Sequence, residues 1–358
     1  MNGAPAPTPG AGRSPAAPAR DACPAPPHEA PPQRGRSQRG GSHDAASRSA
    51  EPHGAASRRA GPGRAEALGA ESVDALIAWF GQNGRDLPWR HEGVSAWAIL
   101  VSEVMLQQTP VVRVVPRWEE WMRRWPEPAD LADAPTAEVL RCWDRLGYPR
   151  RALRLQECAR ALVREHGGRV PHGEEALRAL PGVGEYTAAA VTAFAHRRRA
   201  VVVDTNIRRV LARAVRGRAL PDRSYSAAER SLATRTLPAE EARSVAWNQA
   251  VMELGALVCT ARSPDCAQCP LAAAGCAWVA AGRPAAEEDT RRRQAFEGTD
   301  RQLRGQIMAL LRRDGEAGEA ALLTLDATDA PRVHRCVQSL LADGLAVRGR
   351  EGEGLRLP

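Results

Sequence analysis

The sequence predicts an all-α fold, and three observations on the 358-residue chain carry that prediction. Apolar residues recur at helical spacing through most of the segment between about residues 70 and 280. Strand-like runs are few in that segment, and the clearest is "AVVV" at 200–203. Near its end four cysteines lie within one short stretch, which indicates a metal-bound loop rather than a disulfide framework.

The chain is basic and contains no lysine. Its 50 cationic residues, all of them arginine, outnumber 42 acidic ones and give a net charge of +8. A genome rich in G and C would produce the same bias. The chemical consequence holds either way, because neither a Schiff-base lysine nor a P-loop lysine is present. No apolar run is long enough to span a bilayer and no secretory signal is present, so we expect a soluble intracellular protein without membrane contact.

The N-terminal segment, residues 1–66, is predicted to be a disordered tail. It consists mainly of Ala, Pro, Gly, Ser and Arg, with almost no large apolar side chains. Such a segment cannot bury enough surface to offset the entropy lost on ordering. An inert tail and a loose electrostatic grip on a polyanion both remain open.

The first helix of functional interest lies in "WAILVSEVMLQQTP", where four residues form an apolar stripe at helical spacing: Trp97, Leu100, Val101 and Val104. Glu103, Gln107 and Gln108 fall beside that stripe. We therefore expect a buried helix with a carboxyl and two amides along one edge. A solvated acid on the helix face is the alternative.

A glycine hairpin follows in "LPGVGEYTAAAV". Gly182 and Gly184 permit positive φ and close backbone approach, and the next helix has free N–H groups at its N-terminus. Such N–H groups bind phosphate oxygens. An ordinary tight turn between packed helices explains the glycines equally well. Tyr186, one of only three tyrosines, stands in the first turn of that helix.

Asp204 lies where the run "AVVV" meets the helical pattern "TNIRRVLARAV", in which Ile207, Val210, Leu211 and Ala214 repeat at helical spacing. An aspartate at this position predicts a helix N-cap. A cap can still face a cleft, so a chemical role for the same carboxylate remains open.

The cysteine loop "CTARSPDCAQCPLAAAGC" has the spacing C-x6-C-x2-C-x6-C. Four thiolates this close can surround tetrahedral zinc or a [4Fe–4S] cluster. Zinc sites usually pair two close doublets, whereas only the central pair is close here. The spacing favours iron–sulfur, with a zinc-stabilised scaffold as the alternative.

After a charged linker at 283–295, the C-terminal segment 296–358 contains helical patterns in "RQLRGQIMALLRR" and "APRVHRCVQSLLADG". The final "LAVRGREGEGLRLP" has two short apolar runs around a Gly-rich turn and predicts a hairpin. Two helices and a hairpin indicate a small winged-helix-like module. DNA contact and protein packing are both open uses of it.

Taken in order, "LPWR", "WAILVSEVMLQQTP", "LGYPRRALRL", "LPGVGEYTAAAV", "VVDTNIRRVLAR" and the cysteine loop resemble the helix-hairpin-helix (HhH-GPD) DNA glycosylases. Within that superfamily they are most similar to the MutY family of adenine glycosylases. The resemblance covers about residues 72–280. It implies a two-lobed all-α glycosylase domain over 67–282, with the iron–sulfur loop at 259–276 and DNA bound at the cleft.

The resemblance also implies an activity and a cofactor. The activity is excision of adenine opposite 8-oxoguanine or guanine in double-stranded DNA, by a monomer in the bacterial cytoplasm at the nucleoid. The cofactor is a [4Fe–4S] cluster, and the cysteines matching its ligands are Cys259, Cys266, Cys269 and Cys276.

Residue roles follow from the same resemblance. Glu103 matches the general acid that protonates the purine, Asp204 the carboxylate that stabilises the cationic sugar, and Asn206 a polar partner near it. The remaining matches are Arg90 near the adenine pocket; Gln108, Thr109, Leu146 and Tyr148 as residues that enter the base stack; and Gly182 and Gly184 as a phosphate clamp.

Two rival functions are an endonuclease III-like glycosylase for oxidised pyrimidines and a non-catalytic iron–sulfur DNA-binding regulator. The endonuclease III branch has a nucleophilic lysine where this chain has Tyr186. The chain departs from the adenine glycosylases in three places. Its last cysteine gap is one residue longer than usual, Pro149 replaces a common aromatic, and the C-terminal segment is not MutT-like.

Overall fold

The computed structural model describes residues 67–286, 296–349, 352 and 354–358. The predicted tail over 1–66 and most of the predicted linker lie outside these residues. Within the described part, none of the helices combines the length and the apolar character needed to cross a bilayer.

The glycosylase-like segment is built from helices joined by short loops. In chain order the helices are α1 (Ala70–Asn83), α2 (Ala96–Leu106), α3 (Val111–Arg124), α4 (Pro128–Asp133), α5 (Thr136–Trp143), α6 (Arg150–His166), α7 (Glu174–Ala179), α8 (Glu185–Phe194), α9 (Thr205–Ala214), α10 (Ala227–Thr236), α11 (Glu241–Leu257), α12 (Pro270–Ala273) and α13 (Ala277–Ala280). Short 3₁₀ turns occur at Pro88–Arg90 and Asp144–Leu146.

Two hydrophobic cores confirm the two-lobed, all-α prediction. In the first lobe, which contains α2–α7, the ring of Trp121 packs edge-on against Trp125 and Trp143, with centroids 4.8 and 5.4 Å away. In the second lobe, α1 and α8–α13 bury aliphatic side chains around Leu76 and Leu254. The cleft between the lobes is where a functional site is expected.

Helix α2 is buried on all sides rather than along one stripe. Ser95 caps it, accepting a hydrogen bond from the Ala98 N–H at 3.2 Å, and every residue from Trp97 to Met105 is buried. The helix ends at Leu106, and Gln108 has a φ of +57°. The prediction that Gln107 and Gln108 share a helix edge with Glu103 is therefore wrong, because α2 ends before it reaches either residue.

The strand-like run at 200–203 forms no strand. It is an extended, largely buried connection between α8 and α9. The Ala200 carbonyl accepts its hydrogen bond from the Asn248 side chain at 3.0 Å, where a sheet would supply a neighbouring strand. The apolar run reflects burial among helices and not strand pairing.

The C-terminal segment contains α14 (Asp300–Asp314), β1 (Glu316–Ala317), α15 (Glu319–Leu323), a 3₁₀ turn (Thr324–Asp326), α16 (Ala330–Ala342), β2 (Val347–Arg348) and β3 (Leu355–Arg356). The strands form an antiparallel sheet in the order β1-β3-β2, with Leu355 opposite both Ala317 and Arg348. The two helices and the hairpin expected here are present. The sequence patterns missed β1 and α15, which are too short to show periodicity. The assignment of a winged-helix-like module stays a prediction.

Candidate active site

A cavity of about 880 Å³ opens between the two lobes. Its walls come from the loop before α2, from α2 itself, and from α8, α9 and α11. The cavity brings together six of the residues singled out from the sequence: Arg90, Glu103, Thr109, Tyr186, Asp204 and Asn206.

Glu103 is the acid on the α2 wall. It is 4 % exposed, and its Oε2 accepts a hydrogen bond from the Tyr186 hydroxyl at 2.9 Å. Burial raises the pKa of Glu103 to about 7, and the nearby Asp204 charge adds to the rise. The Tyr186 hydrogen bond and the Arg90 charge act in the opposite direction. A substantial fraction of this carboxyl is therefore protonated at neutral pH and has a proton to give.

Tyr186 lies in the first turn of α8, as the sequence predicted, and its side chain reaches across to α2. Burial raises its pKa well above the ordinary value, and the charges of Glu103 and Asp204 raise it further. The phenol therefore stays neutral and donates its hydrogen bond at any physiological pH.

Asp204 caps α9, and its carboxylate lines the cavity. Its Oδ1 accepts from the Ile207 N–H at 2.7 Å, and its Oδ2 accepts from the Asn206 side-chain amide at 2.9 Å. Burial raises the pKa of Asp204, while these hydrogen bonds favour its charged form. The N-cap predicted from the sequence is present, and it faces the cavity.

Asn206 links Asp204 to the cysteine loop. Its Oδ1 accepts from Arg209 Nη2 at 2.8 Å, and Arg209 also donates to the carbonyls of Cys259 and Gly255 at 2.7 and 2.6 Å. A Cβ at Gly255 would lie 2.6 Å from the Asn206 Cβ, so α11 approaches α9 this closely only because of the glycine.

The α11 wall of the cavity contains an ion network that sequence reasoning missed. Glu253 on α11 accepts from Arg85 Nε at 2.6 Å and from Arg90 Nη2 at 2.9 Å. Burial works against ionisation of Glu253, yet the hydrogen bonds from the two arginines hold its pKa at about 2. The network fixes the Arg90 guanidinium at the cavity. A single acid inside the apolar run "AVMELGAL" was the signal that could have revealed it.

Two loops beside the cavity contain the residues predicted to enter a base stack. Gln108 and Tyr148 both have positive φ, +57° and +47°, and Tyr148 is 40 % exposed. Leu146, in contrast, is only 3 % exposed, and its carbonyl accepts from the Thr109 hydroxyl at 2.9 Å. Of Leu146 and Tyr148, only Tyr148 presents its side chain outward.

Arg151 holds these two loops together, and sequence reasoning missed it. Its Nη1 donates to three carbonyls at the end of α2, and its Nη2 donates to Thr109 Oγ1 and to two carbonyls of the loop before α6. Its guanidinium also lies over the rings of Trp143 and Tyr148. Burial lowers the pKa of Arg151 to about 10, which leaves it charged at neutral pH.

In the glycine hairpin, only Gly182 needs its conformational freedom. It has a φ of +78°, and a Cβ there would lie 2.8 Å from the Arg154 Cβ. Gly184 has a φ of −92° and precedes α8 as its N-cap residue. A cavity of about 220 Å³ beside the hairpin is lined by Gly182 and by three arginines of α6, Arg150, Arg151 and Arg154.

The four loop cysteines form no disulfide and contact the same hydrophobic core. Burial raises the pKa of Cys269 to about 11, and the Cys259 and Cys276 charges add to the rise. Arg213 donates to Cys259 Sγ at 3.4 Å. No three Cys, His, Asp or Glu side chains in the described ranges are already arranged as a metal site. The loop therefore fits a cluster through its donor set, four cysteine side chains within one short segment.

Comparison with known families gives two matches. Residues 101–235 match the HhH-GPD superfamily of base excision DNA repair proteins, and residues 259–273 match the iron–sulfur binding domain of endonuclease III. The second match covers the first three loop cysteines and ends before Cys276, which follows the lengthened gap. The loop is thus an iron–sulfur binding segment.

Similar proteins include the "Adenine DNA glycosylase" of Mycobacterium tuberculosis, 50 % identical over 278 residues, which are 77 % of this chain and 90 % of that protein. A solved thermostable thymine-DNA glycosylase is 30 % identical with a TM-score of 0.53, and the alignment covers 58 % of this chain and 95 % of that one. An endonuclease III trapped on DNA, 22 % identical with a TM-score of 0.50, shares the fold over 60 % of this chain and 96 % of its own.

Proposed function

The chain belongs to the adenine DNA glycosylase family within the HhH-GPD superfamily, and from that premise we propose that it hydrolyses the N-glycosidic bond of adenine paired with 8-oxoguanine or guanine. The observation that carries the proposal is the pair of buried carboxyls, Glu103 and Asp204, facing one cavity with Tyr186 beside them. Breaking this bond needs a proton for the purine and a negative charge for the cationic sugar, and the two acids suit these two tasks.

Glu103 is the proton donor. Adenine is a poor leaving group as an anion, and protonation of a ring nitrogen lets it leave neutral. Because the pKa of Glu103 is about 7, the protonated form is available at neutral pH, and the proton is still acidic enough to transfer. The Tyr186 hydroxyl orients the carboxyl by donating to Oε2, which leaves Oε1 free to face the base.

Asp204 stabilises the sugar as positive charge develops at its anomeric carbon. Carboxylates perform this task in glycoside hydrolysis. The two hydrogen bonds that Asp204 accepts hold it in one orientation and favour its charged form. Arg209 fixes Asn206, and Asn206 in turn fixes Asp204, so the carboxylate does not need to reorganise during the reaction.

The enzyme removes the base without cutting the strand through a lysine. The position after "LPGVG-x" is Tyr186, and the whole chain contains no lysine. A lyase step by lysine attack on the sugar is therefore chemically impossible. An endonuclease III-like activity of that type is disfavoured for the same reason.

Extraction of the base relies on the two loops that Arg151 joins. An extruded adenine leaves a gap in the duplex, and Tyr148 and Gln108 lie at loop tips able to fill it. The N–H groups at Gly182 and the start of α8, with the arginines of α6, hold a backbone phosphate.

The protein acts as a monomer, and its location is the nucleoid, where its duplex substrate is found.

Cys259, Cys266, Cys269 and Cys276 would hold the [4Fe–4S] cluster. When bound, the cluster supplies a redox-active centre that also orders the loop. Arg209 and Arg213 on α9 donate hydrogen bonds to the carbonyl oxygen and the sulfur of Cys259, which hold the start of that loop beside α9.

Single-turnover release of adenine tests the proposal, using duplexes with adenine opposite 8-oxoguanine, adenine opposite guanine, and thymine glycol opposite adenine. We expect release from the first two and none from the third. Asp204→Asn should abolish release, whereas Asp329→Asn should not, although Asp329 also caps a helix. Asparagine is a good N-cap, so both variants keep their helices.

Failure of the wild-type protein to release adenine, or full release by Asp204→Asn, would overturn the mechanism. Borohydride treatment should trap no lysine-linked DNA adduct. Release of thymine glycol with strand cleavage would favour the endonuclease III-like activity instead.

A further inference from the structure

An arginine of the C-terminal segment lies on the tyrosine proposed to enter the DNA. The guanidinium carbon of Arg301, in the first turn of α14, is 4.6 Å from the centre of the Tyr148 ring. It is 5.8 Å from the centre of the Phe296 ring. Tyr148 and Phe296 are 40 % and 55 % exposed. Two exposed aromatic rings from distant parts of the sequence thus flank one charged, planar group.

The position of Arg301 is set by docking of the C-terminal helices against the same loop. Arg150 Nη1 lies 3.2 Å from Asp343 Oδ1 at the end of α16, and Arg304 on α14 donates to Asp343 Oδ2 at 2.5 Å. Asp343 therefore joins α6, α14 and α16. Because these contacts flank the loop that contains Tyr148, α14 is held beside it.

Arg301 has hydrogen-bond donors to spare. Arg304 donates to Ser339 and Asp343, and Arg313, near the other end of α14, pairs with Asp314. In the part of the chain that is described, by contrast, Arg301 has ring contacts and no hydrogen-bond acceptor or ion-pair partner. Its guanidinium can therefore present a full edge of N–H groups to a ligand.

Exposed aromatic rings beside an arginine form a surface that suits an unstacked base. Bases stack on aromatic side chains, and a guanidinium donates two hydrogen bonds to the O6 and N7 acceptors of guanine. In 8-oxoguanine N7 carries a hydrogen, so the guanidinium donates instead to a carbonyl oxygen, O6 or O8. A phosphate also accepts two hydrogen bonds from a guanidinium, but it has no flat face that could stack on the flanking rings. The arrangement therefore favours a purine base over the DNA backbone.

We propose that Arg301, together with Tyr148 and Phe296, contacts the purine left unpaired opposite the extruded adenine. The inference rests on the proposed function for the identity of the DNA, since it places Tyr148 in the stack. The C-terminal segment then serves as part of the specificity surface of the glycosylase, and α14 supplies the residue that reads the opposite base.

Equilibrium binding of the full-length protein tests this contact. The probes are three duplexes containing a 2′-fluorinated deoxyadenosine, which resists hydrolysis, placed opposite guanine, 8-oxoguanine or a tetrahydrofuran abasic analogue. Arg301→Ala should weaken binding to the two purine duplexes about tenfold, the effect of losing one arginine–purine contact. Binding to the abasic duplex should stay unchanged.

Two further variants make the test specific. Arg313→Ala removes an equal charge from the same helix and should leave binding to all three duplexes unchanged. Arg301→Lys keeps the charge but loses the planar pair of donors, so it should fail to restore the preference for a purine. Thermal unfolding of each variant checks that the C-terminal segment remains folded.

If Arg301→Ala weakens binding to all three duplexes equally, the proposal is overturned, because that result indicates a contact with the DNA backbone. Arg301→Ala behaviour identical to that of Arg313→Ala would overturn it as well. Binding does not require catalysis, so the two proposals fail separately. If the wild-type protein releases no adenine but binds the purine duplexes more tightly than Arg301→Ala does, the proposed activity is refuted and the proposed contact is supported.

Discussion

Two buried glutamates, on two different helices that line the same cavity, have pKa values shifted in opposite directions. Glu103 on α2 has a neutral phenol as its hydrogen-bond partner, and its pKa is about 7. Glu253 on α11 has two guanidinium groups, and its pKa is about 2. At 4 % and 1 % exposure the two are almost equally buried, so burial alone does not decide the charge of a carboxyl.

The difference assigns each wall its task. A carboxyl with a neutral partner keeps a proton within reach of neutral pH and can give it to a leaving group. A carboxylate paired with two arginines is permanently charged, and its value lies in fixing those arginines. One wall thus supplies chemistry and the other supplies position, and the following predictions test this division.

The largest expected effect comes from removing the acidic proton of Glu103. Glu103→Gln keeps the shape of the side chain and its contact with Tyr186 but has no acidic proton. The rate of adenine release should fall by about 10² to 10⁴, the usual contribution of a general acid. Single-turnover assays measure the rate, and Glu119→Gln, at an exposed position of α3 outside the cavity, is the control. A loss below tenfold would show that Glu103 is not the donor.

Removing the charge of Glu253 should mainly lower the stability of the protein. Glu253→Gln leaves Arg85 and Arg90 without their counter-charge, and we expect the free energy of unfolding to fall by about 2 kcal/mol. That figure lies below the 3–5 kcal/mol of fully buried pairs, because both arginines are partly exposed. Chemical denaturation measures it, with Glu241→Gln, an exposed position of the same helix, as control. An unchanged midpoint would contradict the assignment.

The pH dependence of kcat/KM should show the titration of Glu103 but not that of Glu253. Above pH 7 the acid is increasingly deprotonated, so the rate should fall about tenfold per pH unit. At low pH the rate should fall again as Asp204, whose pKa burial raises, becomes protonated. Glu253 stays ionised throughout. Glu103→Gln should lose the alkaline limb, and an alkaline limb that persists in this variant would assign it to another group.

The smallest effect is expected for Tyr186→Phe. The hydrogen bond from the phenol favours the charged form of Glu103, so its removal should raise the pKa of Glu103 further. The alkaline limb should move to higher pH by a fraction of a unit, with only a modest change in rate at its plateau. A shift to lower pH would show that the phenol does not stabilise the carboxylate.

Features that depend on local spacing were predictable from the sequence. The periodic segments around Trp97, Leu211 and Ile307 are helices, Asp204 is an N-cap, and Tyr186 lies in the first turn of its helix. The apolar run containing Glu103 indicated its burial. These properties arise from contacts between neighbours in sequence, so a pattern over ten residues contains them.

Features that depend on distant partners were not predictable. Glu253 meets its arginines across 163 and 168 positions of the chain. The apolar run around Glu253 indicates a buried acid that needs a partner, but it does not identify the two arginines. Arg151 acts on backbone carbonyls, which every residue has, so its partners leave no trace in side-chain identity.

In this lysine-free chain, Arg151 is an arginine that the structure requires and that composition alone does not explain. Its two terminal nitrogens serve six acceptors in two loops, and a lysine ammonium has three donors on a single atom. Exchange to lysine there should cost the loop geometry, whereas Arg313, which pairs with its neighbour Asp314 at the surface, should tolerate it. Codon bias can therefore explain an arginine such as Arg313. At Arg151 codon bias favours the same residue that the hydrogen-bond geometry requires. Surface arginines of the first kind are the positions at which a single lysine side chain for chemical labelling can be introduced without disturbing the fold.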